Sequence, residues 1–159
     1  MATWQFLVVL IPATWAEENS YSSSSLYDEE GYDTEIAWRD WKLDSAFQDV
    51  LGDILPPSKS WHKKLLTWGG EKYSDIQVWL KDDAIDGIHI RLDLNQELNE
   101  IIIKVVKAAN SLNCALFFPE LKLVVEVNEF ELKNAINKSN AAKFVHNPQE
   151  FLNEISKKT

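Results

Sequence analysis

A chain of 159 residues has room for one domain, and at that length roughly 68–70% of the unfolded surface is buried on folding, so neither a disulfide nor a structural metal is required. Cys114 is the only cysteine, which excludes an internal bridge, and an apolar fraction of 45% is ordinary for a globular protein. The net charge of −9 argues against nucleic acid and anionic lipid as partners, because both call for a basic face.

The chain begins with an apolar run, Phe6 to Ile11, followed by Thr14-Trp15-Ala16. That imitates a secretory signal and its cleavage site. Such a signal needs a basic start, however, and the first basic residue here is Arg39. The run is short and closes at Pro12, so Thr3 to Ile11 reads as a strand buried on both faces. No stretch approaches the ~20 apolar residues that span a bilayer. The expectation is a soluble, cytoplasmic protein that does not engage membranes.

A polar, acidic loop follows at about residues 13–35, with four consecutive serines from Ser22 to Ser25. Between Glu17 and Asp53 eleven acids face only two bases, Arg39 and Lys42, which accounts for the whole net charge; the rest of the chain balances at fourteen of each. A helix is expected from Asp44 as N-cap to about Leu55, with Phe47, Val50, Leu51 and Ile54 on one face and Pro56-Pro57 ending it. Trp61, Leu65 and Trp68 suggest a short amphipathic turn covering the sheet.

The clearest pattern comes next. Asp75 to Leu80 alternates, Lys81-Asp82-Asp83 turns, and Ile88 to Leu94 alternates again, as in an antiparallel hairpin with one buried face. Asn95 is placed to cap a helix reaching about Leu112, with Leu98, Ile101, Ile102, Val105 and Ala109 at helical spacing. A second hairpin joins Ala115–Phe118 to Lys122–Val127 through Pro119-Glu120. Asn128 with Glu131 forms a capping box for a helix holding Leu132, Ala135 and Ile136. Asn147-Pro148 opens a last helix through Phe151, Leu152 and Ile155.

This order predicts one α+β domain over residues 1–159. Its front half, β-α-β-β-α-β, matches the ferredoxin-like split β-α-β arrangement, an antiparallel sheet with helices on one face. The first strand and Ile88–Leu94 would lie in the middle. The C-terminal hairpin and two short helices would extend it.

Few residues offer chemistry. Asp82-Asp83-Ala84-Ile85-Asp86 has the DDxxD spacing of carboxylates that hold metal in diphosphate-handling enzymes, but it falls in a hairpin turn, where Asp is favoured for its own sake. His89, Arg91 and Asp93 share one strand face, and Gln77 and Trp79 should flank them from the partner strand; a base, a cation and a carboxylate beside an aromatic wall would make a small-molecule or catalytic site. His62, His89 and His146 lack metal-ligand spacing, and no nucleophile elbow or phosphate-cradling glycine loop is present, so neither cofactor nor metal is expected.

The acidic stretch, with Glu17, Glu18, Asp28, Glu29 and Glu30 beside Trp38 and Trp41, suits a basic protein partner, its carboxylates steering and its tryptophans anchoring. The competing expectation is a solvated loop. Small size, acidity, tryptophan content and missing catalytic motifs together resemble bacterial immunity and antitoxin-type proteins, which share no single fold. The leading expectation is therefore a non-enzymatic protein-binding domain, with a homo-oligomer joined through its tryptophans as another arrangement.

Overall fold

The computed structural model describes residues 2–70 and 72–146. Its frame is a seven-stranded sheet in which every neighbouring pair runs antiparallel. In chain order the strands and helices are β1 (Gln5–Pro12), α1 (Ala13–Glu18), β2 (Tyr27–Asp28), β3 (Gly31–Tyr32), α2 (Glu35–Trp38), α3 (Phe47–Gly52), β4 (Pro57–Ser58), β5 (Leu65–Gly69), β6 (Asp75–Lys81), β7 (Ala84–Asp93), α4 (Asn99–Ser111), β8 (Cys114–Phe118), β9 (Leu123–Val125), α5 (Glu129–Lys138) and α6 (Asn140–His146). The sheet order is β4-β5-β6-β7-β1-β8-β9, and β2 and β3 form a separate small hairpin.

The α+β class and antiparallel sheet follow the expectation, with β1 and β7 in the interior of the sheet. The sheet is more extended than a ferredoxin-like one. Trp61 to Trp68 was expected to cover the sheet, yet Leu65–Gly69 pairs with β6 and adds an edge, and Pro57–Ser58 adds another. Trp68 alternates inward and is buried, and the prolines suit an edge strand that need not donate on both sides.

Helices also occupy both faces of the sheet. The inner face (Phe6, Val8, Leu10, Ile76, Val78, Ile88, Ile90, Leu92) packs against α3, α4, α5 and α6 in the main core. The outer face carries a second apolar cluster over β1, β8 and β9, where Val9, Ile11, Phe117 and Val124 meet Trp15 and Ala16 of α1, Leu26, and the tyrosines that follow. A strand apolar on both sides has to be covered twice, and here the acidic segment supplies the second cover.

Local caps shift some boundaries. The Asp44 carboxylate accepts from the Ala46 amide in a turn, so α3 starts at Phe47 instead. Asn95 does not cap α4. Its amide donates to Asp93 Oδ1, and Glu97 accepts from the Asn99 amide where the helix begins. The cap at Asn128 forms as expected, its side chain accepting from the Glu131 amide at 2.8 Å. The Ser139 hydroxyl, fully buried, accepts from the Ala142 amide and starts α6. The helix expected from Asn147 lies outside the described residues.

Candidate functional site

Register alone assembles the outer face. Ser58 faces Thr67, Thr67 faces Gln77, Gln77 faces His89, His89 faces Val9, Val9 faces Phe117 and Phe117 faces Val124, a single row across all seven strands. The row is polar as far as His89 and apolar beyond it. His89 therefore stands where the covered half of the face meets the open half.

The acidic segment forms the cover. It is not an unstructured loop: α1, a 3-10 turn at Ser24–Leu26 and the β2–β3 hairpin fold onto the sheet. Side-chain hydrogen bonds pin it, among them one from the Tyr21 hydroxyl to Glu126 Oε1 at 3.3 Å. Ser23 donates to the Lys122 carbonyl at 2.8 Å, Tyr27 to the Pro119 carbonyl at 3.1 Å, and Thr34 to the Asp86 carbonyl at 2.9 Å. The rings of Tyr27 and Tyr32 stand edge-on to Phe117, with centroids 6.1 and 5.5 Å away. Aromatic contacts of this kind add about 0.5–1.5 kcal/mol beyond the area they bury.

This inward turn of the aromatics divides the expected partner surface. Glu17, Glu18, Asp28, Glu29 and Glu30 are exposed on the outside of the segment. Trp38 is not available to a partner: it is 1% exposed, and its indole Nε1 donates to the Leu10 carbonyl at 3.2 Å. Trp41 is half-buried against the main core. Trp15 and Trp68 are buried as well, Trp4 and Trp79 are half-buried, and Trp61, at 65% exposure, is the tryptophan most open to a partner or a second copy. Trp61 stacks edge-on to Trp79 at 5.6 Å, with the His62 ring against both.

The structure brings Gln77, Trp79, His89 and Arg91 together on the open half of the face, as the hairpin register requires. It gives Arg91 a different carboxylate from the expected one. Arg91 faces Asp75 on β6 and binds both of its oxygens, Nε to Oδ1 at 2.7 Å and Nη2 to Oδ2. Asp93 is buried and serves the turn that follows β7, accepting from the Asn95 amide at 2.9 Å. Directly opposite residues were the signal: once Gln77 faces His89, Asp75 must face Arg91.

A cleft of about 90 Å³ lies where cover and sheet meet, lined by Tyr32, Asp33, Thr34, Trp79, Asp86, Gly87 and His89. The two regions that the sequence offered as separate candidates, acidic segment and His89 face, are thus one place. Burial, and secondly the Arg91 charge, push the His89 imidazole down to about 4, so it is neutral at pH 7. Its Nδ1 is sealed and has no hydrogen-bond partner among the described residues. The Asp86 carboxyl is held above the usual range by burial and then by Asp33 and Glu35, with Lys81 opposing. An imidazole with so low a pKa is a poor general base at neutral pH. Gly87 makes the approach possible, since a Cβ there would sit 2.9 Å from both His89 Cε1 and Thr34 Oγ1.

Compared with protein-family models, curated proteins and solved structures, the chain has no match. Function therefore rests on the geometry of its own residues. Asp82 and Asp83 both adopt positive φ, 52° and 43°, as the central pair of a tight hairpin turn, so that part of the DDxxD string is doing a turn's work. Among the described residues no three His, Cys, Asp or Glu side chains are grouped to hold a metal ion. No helix among them is long and apolar enough to cross a membrane. The Cys114 thiol is buried and pushed up to about 12, which makes it inert as a nucleophile.

The sequence missed one cavity altogether. A pocket of about 470 Å³ opens on the other side of the β2–β3 hairpin, between Phe6, Leu7, Tyr27, Tyr32, Pro119 and Ala141. Its walls come from four distant parts of the chain, and no local pattern announces them.

Proposed function

We propose that the protein is a non-enzymatic binding domain whose acidic segment receives a basic protein partner. The observation that carries this is the ordering of that segment: its aromatics turn inward and are pinned, so Glu17, Glu18, Asp28, Glu29 and Glu30 form a fixed outward array of carboxylates. A fixed array loses less conformational freedom on binding than a mobile loop does. The anchors differ from those the sequence suggested. Trp79 lines the Asp33–Asp86 cleft and the exposed Trp61 stands edge-on to Trp79, so a cationic side chain of the partner would find carboxylates and an aromatic face together.

A basic toxin or nuclease is the partner class such a surface fits, and the mechanism would be occlusion, with carboxylates taking the positions that phosphates occupy. This is the immunity- or antitoxin-type reading. We also read strands β6-β7-β1-β8 as a ferredoxin-like core with the acidic segment inserted after β1; their order and antiparallel neighbours support it.

The test is capture of partners by the intact chain at low and high salt, beside a variant with Asp28, Glu29 and Glu30 changed to Lys. Exposed substitutions of this kind leave stability within about 0.5 kcal/mol. Capture of a basic protein that weakens with salt and with the triple change supports the proposal. Capture that responds to neither refutes its electrostatic basis. The second reading, a small-molecule or catalytic site at His89, Arg91 and Asp93, has the Tyr32–His89 closure in its favour, but Arg91 and Asp93 are already engaged.

A further inference from the structure

We infer that the 470 Å³ pocket beside the β2–β3 hairpin is a binding site for an uncharged, largely apolar small molecule carrying a hydroxyl, carbonyl or amide group. This inference is independent of the partner proposed above and uses a different part of the surface.

The size comes first. Small-molecule sites span ~300–1,000 Å³ and are mostly apolar with a few polar groups fixing orientation. This pocket falls within that range and follows that pattern. Phe6 and Ala141 are core residues at its base, Leu7 and Pro119 line its sides, and the rings of Tyr27 and Tyr32 stand as its wall. The wall is firm, because Tyr27 is tied to the Pro119 carbonyl and both rings rest on Phe117.

The polar groups come second. Thr3, Tyr32 and Asn140 also line the pocket, and among the described residues the side chains of these three make no hydrogen bond. A hydroxyl-bearing or amide-bearing ligand would find donors and acceptors not already engaged within the fold. Tyr32 titrates above its ordinary range because it is partly buried, so it stays a neutral phenol that can donate or accept.

Charge selects among ligands. Glu120 is the charged residue in the lining, one of its oxygens accepting from the Asn140 amide at 2.9 Å. An anionic ligand would meet the Glu120 carboxylate, and among the described lining residues no cation offsets it; Lys122 Nζ, 5.3 Å over the Tyr27 ring, is outside the lining. Fatty acids and phosphates are thereby disfavoured against neutral molecules of the same shape.

The experiment uses the intact chain and two fluorescent probes with similar aromatic bodies. One is neutral N-phenyl-1-naphthylamine, and the other is its sulfonated analogue, 8-anilinonaphthalene-1-sulfonate. Saturable one-to-one binding of the neutral probe, at least about tenfold tighter than the anionic one, is expected. Ala141→Phe, which fills the base, should weaken the neutral probe by a similar factor. Because Ala141 is 7% exposed and a larger side chain there strains its packing, intermolecular nuclear Overhauser contacts are measured on the unmodified chain, where the probe should report Tyr27, Tyr32 and Ala141. No saturable binding, equal affinity for both probes, or contacts confined to other residues would each overturn the inference. Failure here leaves the partner proposal standing, since that is read by salt-dependent capture at the opposite side of the hairpin.

Discussion

Acidifying the solution should destabilise the fold through His89, and the size of the effect follows from its burial. The unfolded imidazole titrates near 6.5, while burial and Arg91 bring the folded one to about 4. Between these values the unfolded chain binds the extra proton, so stability is fully present above about pH 6.5 and declines as pH falls toward 4. At pH 5 the lost contribution is about 2 kcal/mol, and below pH 4 it approaches about 3 kcal/mol, at 1.36 kcal/mol for each pKa unit. Asp86 acts in the opposite direction, because its raised carboxyl pKa favours the protonated folded form. His89→Gln isolates the histidine. It removes the titration and keeps a polar side chain, so the difference in unfolding free energy between pH 7.5 and pH 5 should shrink by about 2 kcal/mol in the variant. Urea unfolding of both proteins at the two pH values measures this. An identical pH dependence in the variant, or a folded-state His89 resonance titrating near 6.5, would refute the argument that the hairpin seals this ring.

Two further substitutions probe the same junction. Gly87→Ala places a Cβ 2.9 Å from Thr34 Oγ1 and His89 Cε1; it should cost about 1–3 kcal/mol in urea unfolding and loosen the Thr34–Asp86 hydrogen bond. A neutral effect would mean that the hairpin does not rest there. Asp75→Asn removes the carboxylate that accepts from Nε and Nη2 of a largely buried Arg91. It should lower stability by about 1–3 kcal/mol, more than Asp93→Asn gains or loses at Arg91, because the pair is shielded from solvent on the Asp75 side. Equal effects of the two changes on the Arg91 guanidinium signals would restore Asp93 as its partner.

Much of the fold was legible because the signals are local. Alternation at Ile76, Val78 and Leu80 against Ile88, Ile90 and Leu92 reports a sheet with one buried face, and the turn between them needs nothing beyond its own two residues at positive φ. The Asn128 cap is equally local, involving an amide three residues away. The apolar run from Phe6 to Ile11 announced burial on both faces before any neighbour was known. Where the reading failed, competing local patterns were of similar strength. Leu65 and Trp68 suit a short helical turn as well as a strand, and only the free edge of β6 decided for the strand. The expected caps did not form because the Asp44 carboxylate closes a turn on the Ala46 amide before the helix, and the Asn95 amide is drawn into the turn made by Asp93.

The sequence by itself determined the amount and place of charge, the antiparallel hairpin at its centre, and which strand faces are apolar. It did not determine what covers those faces. Whether Trp38 meets a partner or the Leu10 carbonyl, whether Tyr32 meets water or His89, and whether a cavity opens between Phe6 and Ala141 were decided by tertiary packing. The physical reason is separation along the chain. Periodicity records that a residue is buried, because burial leaves its mark on near neighbours. The identity of the group that buries it, 57 positions away for Tyr32 and His89, is fixed only when distant segments compete for the same apolar surface and one of them fits.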